Sequence, residues 1–207
     1  MEQIKEYEYV DLGLPSGLKW AKCNVGAEKE TDYGDYFQWG SITPNTDTPC
    51  DWINAPFNNG SSDYDETYFN SIKDTVCPND VLAKDYDAAA QIMGGNWRMP
   101  TRDEFYDLLD NTDNEWIEDF NGTGVNGWKF TSKIDASKYI FIPVSGCRLD
   151  SSFNLQGSYS SVWSSSLNTS NSAGIWGLCF GLRITSNNCV VLSSYRYCGR
   201  SVRGVMD

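Results

Sequence analysis

Residues 94–109 read GGNWRMPTRDEFYDLL, and the way this stretch folds sets the frame for everything on either side of it. Thr101 is followed three residues later by Glu104, the pair of a capping box, and Pro100 stands just before it. Phe105, Leu108 and Leu109 then share one side at helical spacing, which predicts an amphipathic helix opening at Thr101. Gly94 and Gly95 close an earlier helix expected over VLAKDYDAAAQIM (81–93), with Asn79 or Asp80 as its cap. Towards the C-terminus the pattern changes to strands: WKFTSKI (128–134), YIFIPVSG (139–146), and a Ser/Asn-rich region broken by IWGLCFGLR (175–183), CVVL (189–192) and SVRGV (201–205). Towards the N-terminus, residues 43–75 are rich in Asn, Asp, Ser and Pro, show no helical or strand period, and predict an exposed excursion. No repeat of 20 to 50 residues is visible. The expected architecture is α+β: one domain over 1–207, two helices, small antiparallel sheets and long loops.

Composition supports a folded chain with a substantial core, because 14% of the 207 residues are aromatic and 8 of them are Trp. Charge is unevenly placed. Residues 1–128 hold 8 Lys+Arg against 25 Asp+Glu, whereas 129–207 hold 8 against 3. The acidic part repels phosphate backbones and the basic excess is too sparse for a nucleic-acid stripe, so nucleic acid is not an expected partner. MEQIKEYEYVDLG (1–13) lacks an apolar signal core and no window approaches 18 apolar residues, so neither a signal peptide nor a membrane span is expected. The seven cysteines (23, 50, 77, 147, 179, 189, 198) form no CxxC pattern; at most one bridge is expected, with Cys50 to Cys77 the best candidate.

Five stretches in order carry a resemblance: VDLGLPSGLKWAKCNVGA (10–27), YGDYFQWG (33–40), GGNWRMPTRDEF (94–105), WSSSLNTSN (163–171) and RYCGRSVRGV (196–205). They resemble a family of bacterial surface domains abundant in Bacteroides and Fibrobacter relatives. That family is similar in fold to C-type lectins and to formylglycine-generating enzymes, which implies a C-type-lectin-like fold here. The ending resembles variable proteins of diversity-generating retroelements, in which an error-prone reverse transcriptase rewrites adenines of Asn-rich codons. Gly177, Cys179, Gly181 and Cys198 stand where such a template carries Asn, and Gly204 departs from the usual Pro. The resemblance implies a displayed, diversified surface within residues 163–205, made by Ala173, Gly174, Ile175, Gly177, Cys179, Gly181, Arg183, Cys189, Val191, Leu192, Ser194, Tyr195 and Cys198. Its partner would be an unidentified protein or cell-surface ligand, met from a phage tail or a bacterial surface.

The residues themselves speak to the same region. In WGLCFGLR (176–183), Trp176, Leu178, Phe180 and Leu182 alternate with Gly177, Cys179, Gly181 and Arg183, so an apolar inner face and an outer face of small residues are expected. Glycine weakens a strand and an exposed thiol is reactive, so the outer face does not look selected for strand stability. Equally open is that the glycines admit another backbone at close range. After Gln156 the remaining 51 residues contain no Lys, Glu or Gln. At about 17% ordinary usage that is a chance on the order of one in ten thousand, and adenine rewriting of Asn codons excludes those types. A merely Ser/Asn-rich tail shows the same depletion.

Chemistry is sparse. The absence of histidine removes the commonest general base, the usual triads and most zinc sites. The calcium-and-sugar tripeptides of sugar-binding C-type lectins do not occur. Asp63, Asp65 and Glu66 read as a solvated turn rather than a cation site. Arg98 and Arg102 read as ion-pair partners and Arg196 and Tyr197 as scaffold, leaving Tyr195 as the contact. The expected function is non-catalytic ligand binding, with no cofactor or metal. Two alternatives stand beside it: a fixed-sequence adhesion or assembly domain of the same family, and an oxidase of the formylglycine-generating type.

Overall fold

The computed structural model describes residues 6–170 and 177–207. Two sheets come from the ends of the chain and its middle. β1 (Tyr9–Asp11) and β11 (Arg203–Met206) both pair with β2 (Lys19–Asn24), so the first and last strands share one three-stranded sheet. β3 (Thr112–Ile117), β4 (Gly127–Ser132) and β5 (Tyr139–Pro143) form a meander in that order. The hairpin of β6 (Cys147–Leu149) and β7 (Ser152–Asn154) follows. Last comes the sheet of β8 (Tyr159–Leu167), β9 (Leu178–Thr185) and β10 (Asn188–Tyr195), with β9 central and β10 at the edge.

Among the described residues there are three α-helices: α1 (Glu66–Val76), α2 (Ala88–Met93) and α3 (Arg102–Asn111). α3 starts where the sequence says, with Thr101 accepting from the Glu104 amide and the Glu104 carboxylate accepting from the Thr101 amide at 2.7 Å. Its side chains Phe105 and Leu108 are fully buried over the β8–β9–β10 sheet. The helix expected over 81–93 is shorter. Asp87 turns inward, accepts from Ala90 N and Met99 N, and caps a helix of only six residues that ends at Gly94 with φ 70°. Conversely, α1 lies inside the stretch expected to be an unstructured excursion, capped by Asp65.

The expected α+β, C-type-lectin-like fold is therefore corrected. The chain is mostly β, eleven strands in four small antiparallel sheets among the described residues, a fold distinct from the α+β lectin arrangement. The physical reason is that helical segments are few and short, two of them resting on small buried faces, while strand pairing from both ends of the chain closes the molecule.

Two apolar cores lie on opposite sides of the β8–β9–β10 sheet. Val162, Leu182, Ile184 and Val191 face one, with Trp20, Phe105, Leu108, Phe130 and Ile140. Trp163, Leu167 and Cys179 face the other, with Phe37, Trp39, Phe69, Met93 and Trp97. A strand buried on both faces is a different object from the one-sided strand that alternation suggests.

Candidate functional site

The burial of both faces redraws the expected surface. Cys179 is 0% exposed, packed in the core with Trp163 and Leu167, and Cys198 and Val191 are also buried. Gly181 is buried between strands: a Cβ there would sit 2.7 Å from the Val162 carbonyl oxygen and 3.0 Å from Ser161 Oγ. Gly177, at φ 75°, abuts the Trp52 ring, and a Cβ would come 3.0 Å from Tyr64 Cδ2. The glycines therefore serve close approach, and Cys179, Gly181, Val191 and Cys198 are corrected from displayed to buried positions. Phe180 and Leu178, expected beneath, are only half-buried. Ala173, Gly174 and Ile175 lie outside the described residues, as does Trp176.

What stays at the surface is the edge. Leu192 and Tyr195 are 41% and 40% exposed, with Ser194, Arg183 and Cys189 half-buried. Tyr195 sits in a group of aromatic side chains that only the fold assembles. It stacks on Tyr197 with centroids 5.5 Å apart and planes 22° from parallel. Trp52 meets Tyr197 at 5.0 Å, Tyr64 at 5.5 Å and Tyr195 edge-on at 6.3 Å. Trp52 and Tyr64 come from the 43–75 stretch, which Asn58 holds in shape by donating to the carbonyls of Trp52, Ser61 and Asp63 and accepting from Asp65 N. Asp65 is spent on the α1 cap, consistent with a turn at this acidic cluster.

Beneath these rings lies Arg196, 0% exposed. Its guanidinium carbon is 3.9 Å from the Phe69 ring centroid, 5.0 Å from Tyr64 and 5.9 Å from Trp52, and none of its three side-chain nitrogens has a hydrogen-bond partner. Burial pushes its pKa down, against weaker support from Cys179, Tyr64 and Cys77. Its backbone is fixed as well: Arg196 N donates to Gly177 O, and Trp39 N donates to Arg196 O. The sequence marked Arg196 and Tyr197 as scaffold, and both hold the patch. Trp52 was not singled out, and Tyr64 stands in a loop expected to matter less than the C-terminal face; a Trp and a Tyr inside an otherwise polar stretch were the available signal.

The remaining candidates resolve into structure. Arg98 makes a two-pronged pair with Glu104 at 2.7 and 2.8 Å, and Arg102 pairs with Asp103 at 3.0 Å. The cysteines are free, Cys50 and Cys77 included, so the expected bridge between those two is not formed. Cys50 lies against the Gly199 backbone while Cys77 ends α1. No group of three or more His, Cys, Asp or Glu among the described residues is placed to hold a metal.

No protein-family model, curated protein or solved structure matches the chain.

Burial also fixes thiol behaviour. It raises the pKa of Cys179 and Cys198, and pushes Cys189 up to about 12. Only Cys23 and Cys189 are even half-exposed, and the Cys23 thiol is raised by burial too. Iodoacetamide at pH 8 is expected to modify the folded protein slowly and only at these two, and all seven cysteines after unfolding, as read by mass spectrometry. Rapid labelling of Cys179 or Cys198 in the native state would contradict the packing described above.

Proposed function

We propose that this protein is a non-catalytic ligand-binding protein whose contact surface is the aromatic patch of Trp52, Tyr64, Tyr195 and Tyr197 with the adjoining β10 edge at Leu192 and Ser194. The observation that carries this is the patch: four aromatic rings in mutual contact, drawn from two distant segments, left partly open to solvent beside a half-exposed strand edge. Trp and Tyr supply large, rigid contact area at low entropic cost, which is why they dominate binding hot spots. The scaffold below is buried and close-packed, so affinity can reside in a few replaceable side chains.

Diversification by a retroelement remains part of this proposal, confined to the half-exposed and exposed positions Arg183, Cys189, Leu192, Ser194 and Tyr195. A near-copy of the 3′ coding end, differing only at adenines and lying beside a reverse transcriptase gene, supports it; without one, a fixed-sequence adhesion surface is the better reading. Display on a phage tail or a bacterial surface belongs to the same proposal. No helix among the described residues is long and apolar enough to cross a membrane.

The test is to pan the protein against cell-surface fractions of candidate bacteria. Tyr195→Ala and Tyr64→Ala are each expected to lower capture at least about tenfold, the usual scale of a hot-spot aromatic. Leu192→Ala should lower it less. Arg183→Ala should have the smallest effect, since Arg183 pairs with Val190, five positions and roughly 17 Å along the strand from the Leu178–Tyr195 pair. Loss with Arg183→Ala alone would move the site to the far end of the hairpin.

A further inference from the structure

We propose that the free edge of β10 pairs antiparallel with the same edge of a second copy of this chain, joining two β8–β9–β10 sheets into one; the inference goes beyond the ligand-binding proposal and does not depend on it. The observation that carries it is a row of backbone groups with nothing to bond. Arg196 N donates to Gly177 O across the hairpin, so by alternation Ser194, Leu192, Val190 and Asn188 turn their backbone groups toward β9. Those of Cys189, Val191, Ser193 and Tyr195 point the other way. Apart from the Tyr195 carbonyl, which accepts from Cys198 N, no described residue bonds them. An unpaired edge of this kind is a template for another strand. Other edges of the fold are closed or blunted. β8 is bonded on its outer side to Leu82, Pro100 and Ser201, β11 to Arg98, and the Phe141 carbonyl of β5 to Arg203. β1 and β7 are three residues long, and β3 carries Asp113 and Glu115. β10 has none of these devices: it runs for eight residues, and from Ile184 to Tyr195 (ITSNNCVVLSSY) there is no charge and no proline.

The occupant that fits this edge is the same strand. About a two-fold axis at Val191, Cys189 of one copy meets the partner's Ser193 and Val191 meets the partner's Val191, so every outward amide lies opposite an outward carbonyl. The intervening pairs, in which side chains approach most closely, set Leu192 against the partner's Val190. Leu192, 41% exposed in the single chain, thereby gains an apolar neighbour. Charge is no obstacle at the contact. The carboxylates of α3, the helix packed on β10, are mostly engaged: Glu104 with Arg98, Asp103 with Arg102, and Asp107 with Ser16 and Asn111. The net charge of −12 acts at longer range, so screening by salt should favour the pair. A two-fold axis normal to the joined sheet carries both aromatic patches to one side of it, with the two copies of Tyr195 roughly 27 Å apart along the strands. A ligand surface presented twice at fixed spacing gains avidity without any new contact.

Sedimentation equilibrium of the whole protein tests this. A contact of one strand a side falls below the roughly 1,200 Å² of standard interfaces, so the pair is expected to form between about 1 and about 200 μM. The mass should rise over that range from one chain toward two, and rise earlier in about 0.5 M NaCl. Ser193→Pro removes an outward N–H and no bond within the hairpin, so it should keep the native near-UV circular dichroism and stay monomeric. Should that variant fail to fold, Leu192→Lys, at an exposed side chain, should weaken association at least about tenfold. Tyr64→Ala, in the aromatic patch, should associate like the unaltered protein. In a mixture of Val190→Cys and Leu192→Cys chains treated with glutathione disulfide, peptide mass spectrometry should find position 190 linked to position 192. A single-chain mass throughout, a pair indifferent to both β10 variants, or a pair lost with Tyr64→Ala would overturn the inference, and links between like positions alone would overturn the register. A protein that stays monomeric yet loses capture of cell-surface material with Tyr195→Ala sinks this inference and leaves the ligand surface standing. Pairing as described, with capture indifferent to Tyr195→Ala, does the reverse.

Discussion

Cys179→Asn is expected to destabilise the protein by about 3 kcal/mol or more, whereas Leu192→Asn should stay within about 1 kcal/mol. Both positions belong to the same hairpin and both are among the displayed positions that the resemblance implies, Cys179 standing where the template carries Asn. The difference is burial. The Cys179 side chain lies at 0% exposure among Trp163, Leu167 and Phe69, beside a guanidinium that has no acceptor of its own. An amide there is larger than a thiol and loses its water without a geometry prepared to receive both its ends. Gly181→Asn should cost a similar amount for a steric reason, since any Cβ falls 2.7 Å from a backbone oxygen that cannot move away cheaply. Urea unfolding of the three variants checks this. Losses under about 1 kcal/mol at Cys179 and Gly181 would restore the one-sided strand and the displayed thiol.

The same residues show what the sequence could and could not reveal. The α3 start was legible because a capping box is a local device, complete within Thr101 to Glu104. The strands after it were legible because Phe130 and the IFIP run are apolar and β-branched or aromatic where the meander buries them. α1 was not: only Phe69 and Val76 of its eleven residues are buried, so ETYFNSIKDTV carries too thin a stripe to stand out from the polar stretch before it. Nor was the two-sided burial of β9. Small residues on one face of an alternating strand read the same whether they face solvent or a close-packed second core, and Gly181 and Cys179 proved to be the latter. The aromatic patch was half legible. Tyr195 was a candidate contact, but its neighbour Trp52 is more than a hundred residues away, and no local period links the two.

Arg203 should prove the most damaging single polar residue to remove, at about 3–5 kcal/mol for Arg203→Met. Its side chain is fully buried, and its donors fan out to two segments, β2 and β5. Nε donates to Asn24 Oδ1 at 2.9 Å, Nη1 to the carbonyls of Ala21 and Lys22, and Nη2 to the Phe141 carbonyl at 2.8 Å. One residue on the last strand thereby fastens β2 and the central meander to the chain's end, where no continuous ladder joins all three. Desolvation drives the pKa down to about 10, so the cation is held against its preference for water, with Glu30 and, once ionised, the Cys23 thiol pulling the other way. Methionine fills much of the volume but leaves three carbonyls and a carboxamide oxygen unsatisfied in the interior. Arg203→Lys keeps the charge yet has no planar fork to reach all four acceptors, so it should recover less than half of the loss. Equilibrium urea unfolding with matched m-values reads both variants on one scale. A cost under about 1 kcal/mol for Arg203→Met, or full recovery with Arg203→Lys, would show that the fork does not hold these segments together.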